Sequence, residues 1–321
     1  LTVGFNGSRT GSDADGYSRS FKHHESRDPC RVSVYVALSR YSIIKPSSSK
    51  KTGYGQTRPH MTQFPQWTIG EIIDSEREMV LSAPPRYGKY YDTALQCSVL
   101  FSRFVKDVNR DRWIFISFLS EAKKHHTLAL FSAVRLHKVQ AMMNLRQALE
   151  AGAAAAFAIA NPEHDHFVVA DEYGILDPVP AGKRYAWLDR NYPDASADIK
   201  EAKDQINAVE AHANLITTQN TFRADYDDHS FAAPFFDIED EHHVKTDLWR
   251  IAQVALVLMH AFANVNEGRN VIKFSDDFWP LIQTLGGQNN TLRGETMATD
   301  RFKHASELEA VRQAAKGKPA R

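Results

Sequence analysis

Two apolar helical stretches of this chain carry polar side chains that could do chemistry. One holds Arg135, His137, Asn144, Arg146 and Glu150, and the other Asn207, Glu210, His212 and Asn214. Arg146 and Glu150 stand four residues apart, so on a helix they share a face and can pair. Two readings are open. In the first, an ion pair and local hydrogen bonds satisfy a partly buried polar layer. In the second, the two helices line a cleft in which His212 acts as acid or base and Arg146 stabilises an anion. Arg146, Glu150 and His212 are therefore the candidate catalytic residues.

Metal binding has its own pattern. Glu163 to His166 and Glu239 to His242 both have the Glu-x-x-His spacing that di-iron helical bundles use twice, because it puts both ligands on one helix face. With 14 His in 321 residues, about 0.7 such pairs arise by chance. Glu163 also follows Pro162, at a helix start rather than in an apolar interior. These four are secondary candidates as metal ligands, and no cofactor is expected. Phosphate binding is excluded at the segment Ala83 to Tyr90, where Gly88 and Lys89 suggest a Walker loop. Ala83 stands where the loop needs glycine, and Tyr90 where it needs a Ser or Thr for magnesium. No dinucleotide glycine fingerprint, nucleophile elbow or zincin motif occurs.

The run Arg146 to Glu150 followed by a later helix with His212 resembles the HEPN-like helical proteins, in particular a branch of unknown function. The resemblance spans roughly Ala129 to Phe262. It implies a helical bundle and a protein that works with a macromolecular partner. For the catalytic HEPN ribonucleases it implies Arg, four to six residues, then His at a helix start. Arg223 to His229 has that spacing, but chance supplies about three such matches, and its filling of Asp225, Asp227 and Asp228 would repel RNA phosphates.

These residues must be positioned by helices. Thr68 and Glu71 have capping-box spacing and open a first helix, which Pro84 and Pro85 are expected to close. A second pattern runs from Tyr87 to Val108, and Asn109 to Arg112 makes a turn. Trp113 to Ala160 contains no proline and only Gly152, and reads as two helices joined near Lys123 to His126. Asn161 and Pro162 stop it. Pro178, Pro180, Gly182 and Pro193 mark a looser connection, followed by a helix from Asp194 to Ile216 and an irregular stretch from Thr217 to Phe236. A strongly apolar helix follows from Glu241 to Val265, then a short one from Phe274 to Leu285.

Composition bounds the rest. Hydrophobic residues make up 43% and charged residues 24%, as in ordinary globular chains. Net charge is zero, but residues 1–60 hold ten Lys or Arg against four acids, leaving an acidic remainder that disfavours nucleic-acid binding by the body. That leader is rich in Ser, Gly, Arg and Lys and has no sustained apolar period, so it is expected to be disordered. Since patterning starts abruptly after Met61, translation is expected to begin there, with residues 1–60 an upstream extension of the frame; a genuine basic arm is the alternative. Two cysteines, Cys30 and Cys97, make no disulfide framework and fit a reducing compartment. Apolar stretches around Ala151 to Ala160 and Val254 to Met259 fall short of the roughly 20 residues that span a bilayer.

The expectation is a soluble, cytoplasmic, all-α protein: an irregular bundle of six or seven helices over 61–285, after a disordered leader and before a polar tail, 286–321. It acts through a protein partner, with no membrane, and homo-oligomerisation stays open. The alternatives are a HEPN-type endoribonuclease and a di-iron or other metal-dependent enzyme.

Overall fold

The computed structural model describes residues 67–207, 222–225, 230–232 and 235–316, so the expectations for the leader and for His212 and His229 lie outside the described residues. Helix α1 (Ile69–Tyr87) starts at the predicted capping box: Glu71 N–H donates to Thr68 Oγ1 at 3.2 Å, and Thr68 N–H to Glu71 Oε2 at 2.8 Å. It does not stop at Pro84. Both prolines lie within its last turn, where their missing N–H groups orphan carbonyls on a side that carries exposed Leu81, Pro84 and Pro85, open to water. Gly88, at φ 51°, ends the helix and donates to Pro84 O at 2.9 Å.

The second pattern divides into helix α2 (Lys89–Arg103) and strand β1 (Val105–Val108). The long segment is two helices, α3 (Trp113–Val134) and α4 (Lys138–Ala160), but their joint lies at 135–137 and not at Lys123 to His126. Leu136 takes φ 59° there, a conformation that its residue type does not advertise. The polar residues at the expected joint stay helical because they find partners. Lys123 Nζ donates to Ser102 O at 2.9 Å, and buried His126 bonds the backbone of a neighbouring helix.

After α4 come a 3-10 turn (His164–His166) and a hairpin of β2 (Val168–Ala170) and β3 (Leu176–Pro178). The looser connection also contains helix α5 (Gly182–Asn191), which the prolines concealed. Helix α6 (Pro193–Asn207) has Pro193 as its first residue, a position where no N–H is needed. A small strand pair follows, β4 (Arg223–Asp225) with β5 (Ser230–Ala232). Helix α7 (Glu241–Asn266) is capped by Asp240, whose Oδ1 accepts from His242 N at 3.1 Å. Strand β6 (Ile272–Phe274) pairs antiparallel with β1, and helices α8 (Phe278–Ala298) and α9 (Asp300–Lys316) complete the described residues. The boundary expected at 285 falls inside α8, and Leu292, Phe302 and Ala305 beyond it are buried.

The architecture is all-α, with only two-stranded sheets among the described residues. Helix α7 is its axis, touching α1, α2, α3, α4, α6 and α8. It is long and apolar enough to cross a membrane, yet 83% of its most apolar window is buried inside the fold. Around it, Phe262 packs against Phe101, Phe104 and Phe115 at ring separations of 6.4, 5.9 and 6.0 Å. Helix α4 approaches α7 closely through small residues: a Cβ at Gly152 would lie 2.3 Å from Leu258 Cδ2. Asn266 fixes the β1/β6 end, its Oδ1 accepting from Val271 N and Ile272 N at 2.9 Å each.

Candidate functional site

The polar residues of the α3/α4 joint and of α4 do not converge on one place. Arg135 and His137 turn to α1, where Glu76 accepts from Arg135 Nη1 at 3.1 Å and His137 Nε2 at 3.0 Å. Asn144 meets His125 of α3, with Oδ1 to Nδ1 at 2.9 Å. Arg146 and Glu150 do pair, Nε to Oε1 at 3.2 Å, and face α6, where Lys203 Nζ reaches the same Oε1 at 2.9 Å. Burial pushes the Glu150 carboxyl up, but the two cations outweigh it and hold it below the ordinary carboxylate range. Burial also disfavours the Lys203 charge, and Glu150 more than restores it.

Met142, Arg146 and Glu150, at four-residue steps, form one stripe of α4. At its upper end Arg250 of α7 donates Nη1 to Met142 Sδ at 3.1 Å and lies 3.4 Å from Asp247 Oδ1. At the lower end Lys203 sits 5.1 Å above the Tyr185 ring. Tyr185 Oη and Asn207 Oδ1 are buried without a hydrogen-bond partner among the described residues. The result is a polar seam where α4, α6 and α7 meet. The Arg146–Glu150 pair anticipated from spacing is there, but each side chain is about a third exposed rather than buried. Asp247, Arg250 and Lys203 were not singled out by the sequence. A charge every three or four residues inside an apolar helix was the available signal for the first two. His212 lies outside the described residues, and the carboxylate beside Arg146 in the described part of the seam, Glu150, is shared with Lys203.

The Glu-x-x-His candidates lie on different elements. Glu163 and His166 lie 3.2 Å apart on the exposed 3-10 turn, not on an α-helix face. Glu239 precedes the cap of α7, so it shares no helix with His242; it accepts from Arg86 and from Tyr87 Oη, the latter at 3.1 Å. At Glu239 and His242 the spacing does not fall within one helix, and Glu239 is taken up by α1. Among the described residues no group of three or more His, Cys, Asp or Glu could hold a metal ion.

Other buried titratable groups serve the fold. His126 donates Nε2–H to Ile251 O at 2.9 Å and takes Ser98 Oγ on Nδ1 at 3.2 Å, and burial pushes it down to about 4. His243 accepts from Arg301 Nη2 at 3.0 Å while Arg301 Nη1 bonds Asp240 at 2.7 Å, tying α9 to the start of α7. Burial, then the Lys138 charge, takes His243 down to about 4. Cys97 is buried in α2, and its thiol is pushed up to about 12, which leaves it unreactive.

The hairpin β2/β3 is of another kind. Its turn is fixed by Asp171, whose Oδ1 accepts from Tyr173 N at 2.9 Å and Ile175 N at 2.7 Å, with Gly174 at φ 74°. On this hairpin Val169, Tyr173, Ile175 and Leu176 are 56–79% exposed. Phe167, at its base, is anchored on Phe118 and Phe157 at 5.4 and 5.6 Å. Exposed Trp113 lies beside it, stacked on His164 at 6.4 Å. The sequence signal was available: a Gly-containing turn between apolar runs, hidden among the prolines. Comparison with known protein families, curated proteins and solved structures finds no match to this chain.

Proposed function

We propose that this is a non-catalytic helical protein of the HEPN-like kind that binds a protein partner through the β2/β3 end. One observation carries the reading: four large apolar side chains stand in water on a hairpin whose turn Asp171 ties with two hydrogen bonds. Apolar groups scattered on a surface need no explanation, but a preorganised cluster suits a partner because little ordering entropy is left to lose on binding. The polar seam supports the same reading from the other side, since its described charges are engaged with one another.

The test is photo-cross-linking in the source cell with Tyr173→p-benzoylphenylalanine. A discrete adduct with one protein, lost when Leu176→Asp is added, is the expected result. A smear of adducts, or one indifferent to Leu176→Asp, would overturn the proposal.

A further inference from the structure

We infer that the partner is a basic, extended segment that adds to the outer edge of β2 as a third strand. The inference rests on the reading of the hairpin as a binding surface and adds its mode and chemistry. Backbone register carries it first. Asp171 N–H donates to Ile175 O at 2.9 Å and Val179 N–H to Phe167 O at 2.8 Å, so the hydrogen-bonded pairs are 171 with 175, 169 with 177, and 167 with 179. Val168 and Ala170, opposite Pro178 and Leu176, occupy the alternate positions, whose N–H and C=O groups point away from the hairpin. Among the described residues these groups take part in no other backbone hydrogen bond. The outer edge of β3 is guarded, because Pro178 has no N–H to offer. Residues 167–170, Phe-Val-Val-Ala, carry neither proline nor charge, the usual devices that blunt an edge.

Charge selects the occupant. Between positions 163 and 178 stand Glu163, Asp165, Asp171, Glu172 and Asp177, all exposed, and no Lys or Arg. A second copy of the same edge would bring the same acids against them. In this register Asp171 and Asp177 share a face with Val169 and Ile175, and Val168, Ala170 and Leu176 share the other, so a strand alternating Lys or Arg with apolar residues would set its cations against the two aspartates and its apolar side chains against the second face, while its main chain bonds Val168 and Ala170.

The probe is the peptide acetyl-(Lys-Val)4-amide, titrated onto the full chain, with acetyl-(Glu-Val)4-amide as its counterpart. The lysine peptide should bind, weaken as salt is raised, and slow amide exchange at Val168 and Ala170; the glutamate peptide should not bind. Ala170→Pro removes one outward N–H and none of the hairpin's own bonds, and should weaken the peptide tenfold or more with an unchanged melting temperature. Glu172→Lys with Asp177→Lys should do the same by charge alone, and covers the case in which the proline disturbs the hairpin. Equal binding of both peptides, or unprotected amides at 168 and 170 with peptide bound, would overturn the inference. So would amides already protected before any peptide is added, since the edge would then be occupied by this chain's own residues or a second copy. A Tyr173 adduct that survives Ala170→Pro would leave the binding surface standing and remove only the added strand, whereas no adduct at all removes both.

Discussion

The α4/α7 interior and the β2/β3 hairpin break the usual rules of residue placement in opposite directions. The interior takes in polar groups, Asp247, Arg250, His126 and the Glu150 cluster, and each meets a partner within the chain. The hairpin puts out apolar groups, and nothing among the described residues covers them. Polar side chains inside a helix pattern attract attention as chemistry, yet burial itself demands that they be paired, so their pairing says little about function. An exposed apolar cluster on a fixed backbone has no such internal reason.

If the interior is the stabilising region, truncating its centre should cost most. Phe262→Ala removes the ring that Phe101, Phe104 and Phe115 share, and should lower unfolding free energy by about 3–5 kcal/mol in denaturant titration. A loss near 1 kcal/mol would show that the ring cluster is loosely packed.

Acid should act next. His126 and His243 have folded pKa values of about 4, below the ordinary 6.5, so the unfolded chain binds their protons first. Their neutral forms are accommodated fully above pH 6.5, and stability falls as the pH drops from 6.5 towards 4, by at most roughly 3 kcal/mol for each. His126→Gln should flatten part of that slope in melting curves across the window; an unchanged slope would show that the histidines do not set it.

Packing tolerance follows. Gly152→Ala places a methyl against Leu258 and should cost about 1–3 kcal/mol, although alanine is the better helix former by roughly 1 kcal/mol. A stabilised variant would show that α4 and α7 can separate without loss.

These two regions also differ in how far the sequence foretold them. A capping box placed the start of α1 and apolar character placed α7, because those signals are local: Thr68 with Glu71, and the apolar residues that dominate the stretch from Val244 to Val265. The joint at Leu136 was not legible, since a leucine at φ 59° is imposed by tertiary packing and leaves no trace in residue type. The pairing of Arg146 with Glu150 was legible from spacing; that Lys203 would join them depends on how α4 meets α6 in space. For Glu239 and His242 the spacing misled, because it has its meaning only inside a helix and α7 begins between them. The hairpin was obscured by its prolines, which read as loop although Pro178 sits in a strand and Pro180 lies just beyond it.

The smallest effect is the most informative for the comparison. Ile175→Ser should change stability by no more than about 0.5 kcal/mol, because a side chain already in water gives up little on truncation. Gly174→Ala, one residue earlier, should cost about 1 kcal/mol, since φ 74° strains any residue with a Cβ. The pair separates frame from surface. If both hold, the hairpin is a built element whose apolar tips contribute nothing to the fold that builds it, and their retention has to be explained by something they touch outside it. If Ile175→Ser costs as much as Gly174→Ala, the side chain is packed in solution against part of this chain, and the contrast with the interior disappears.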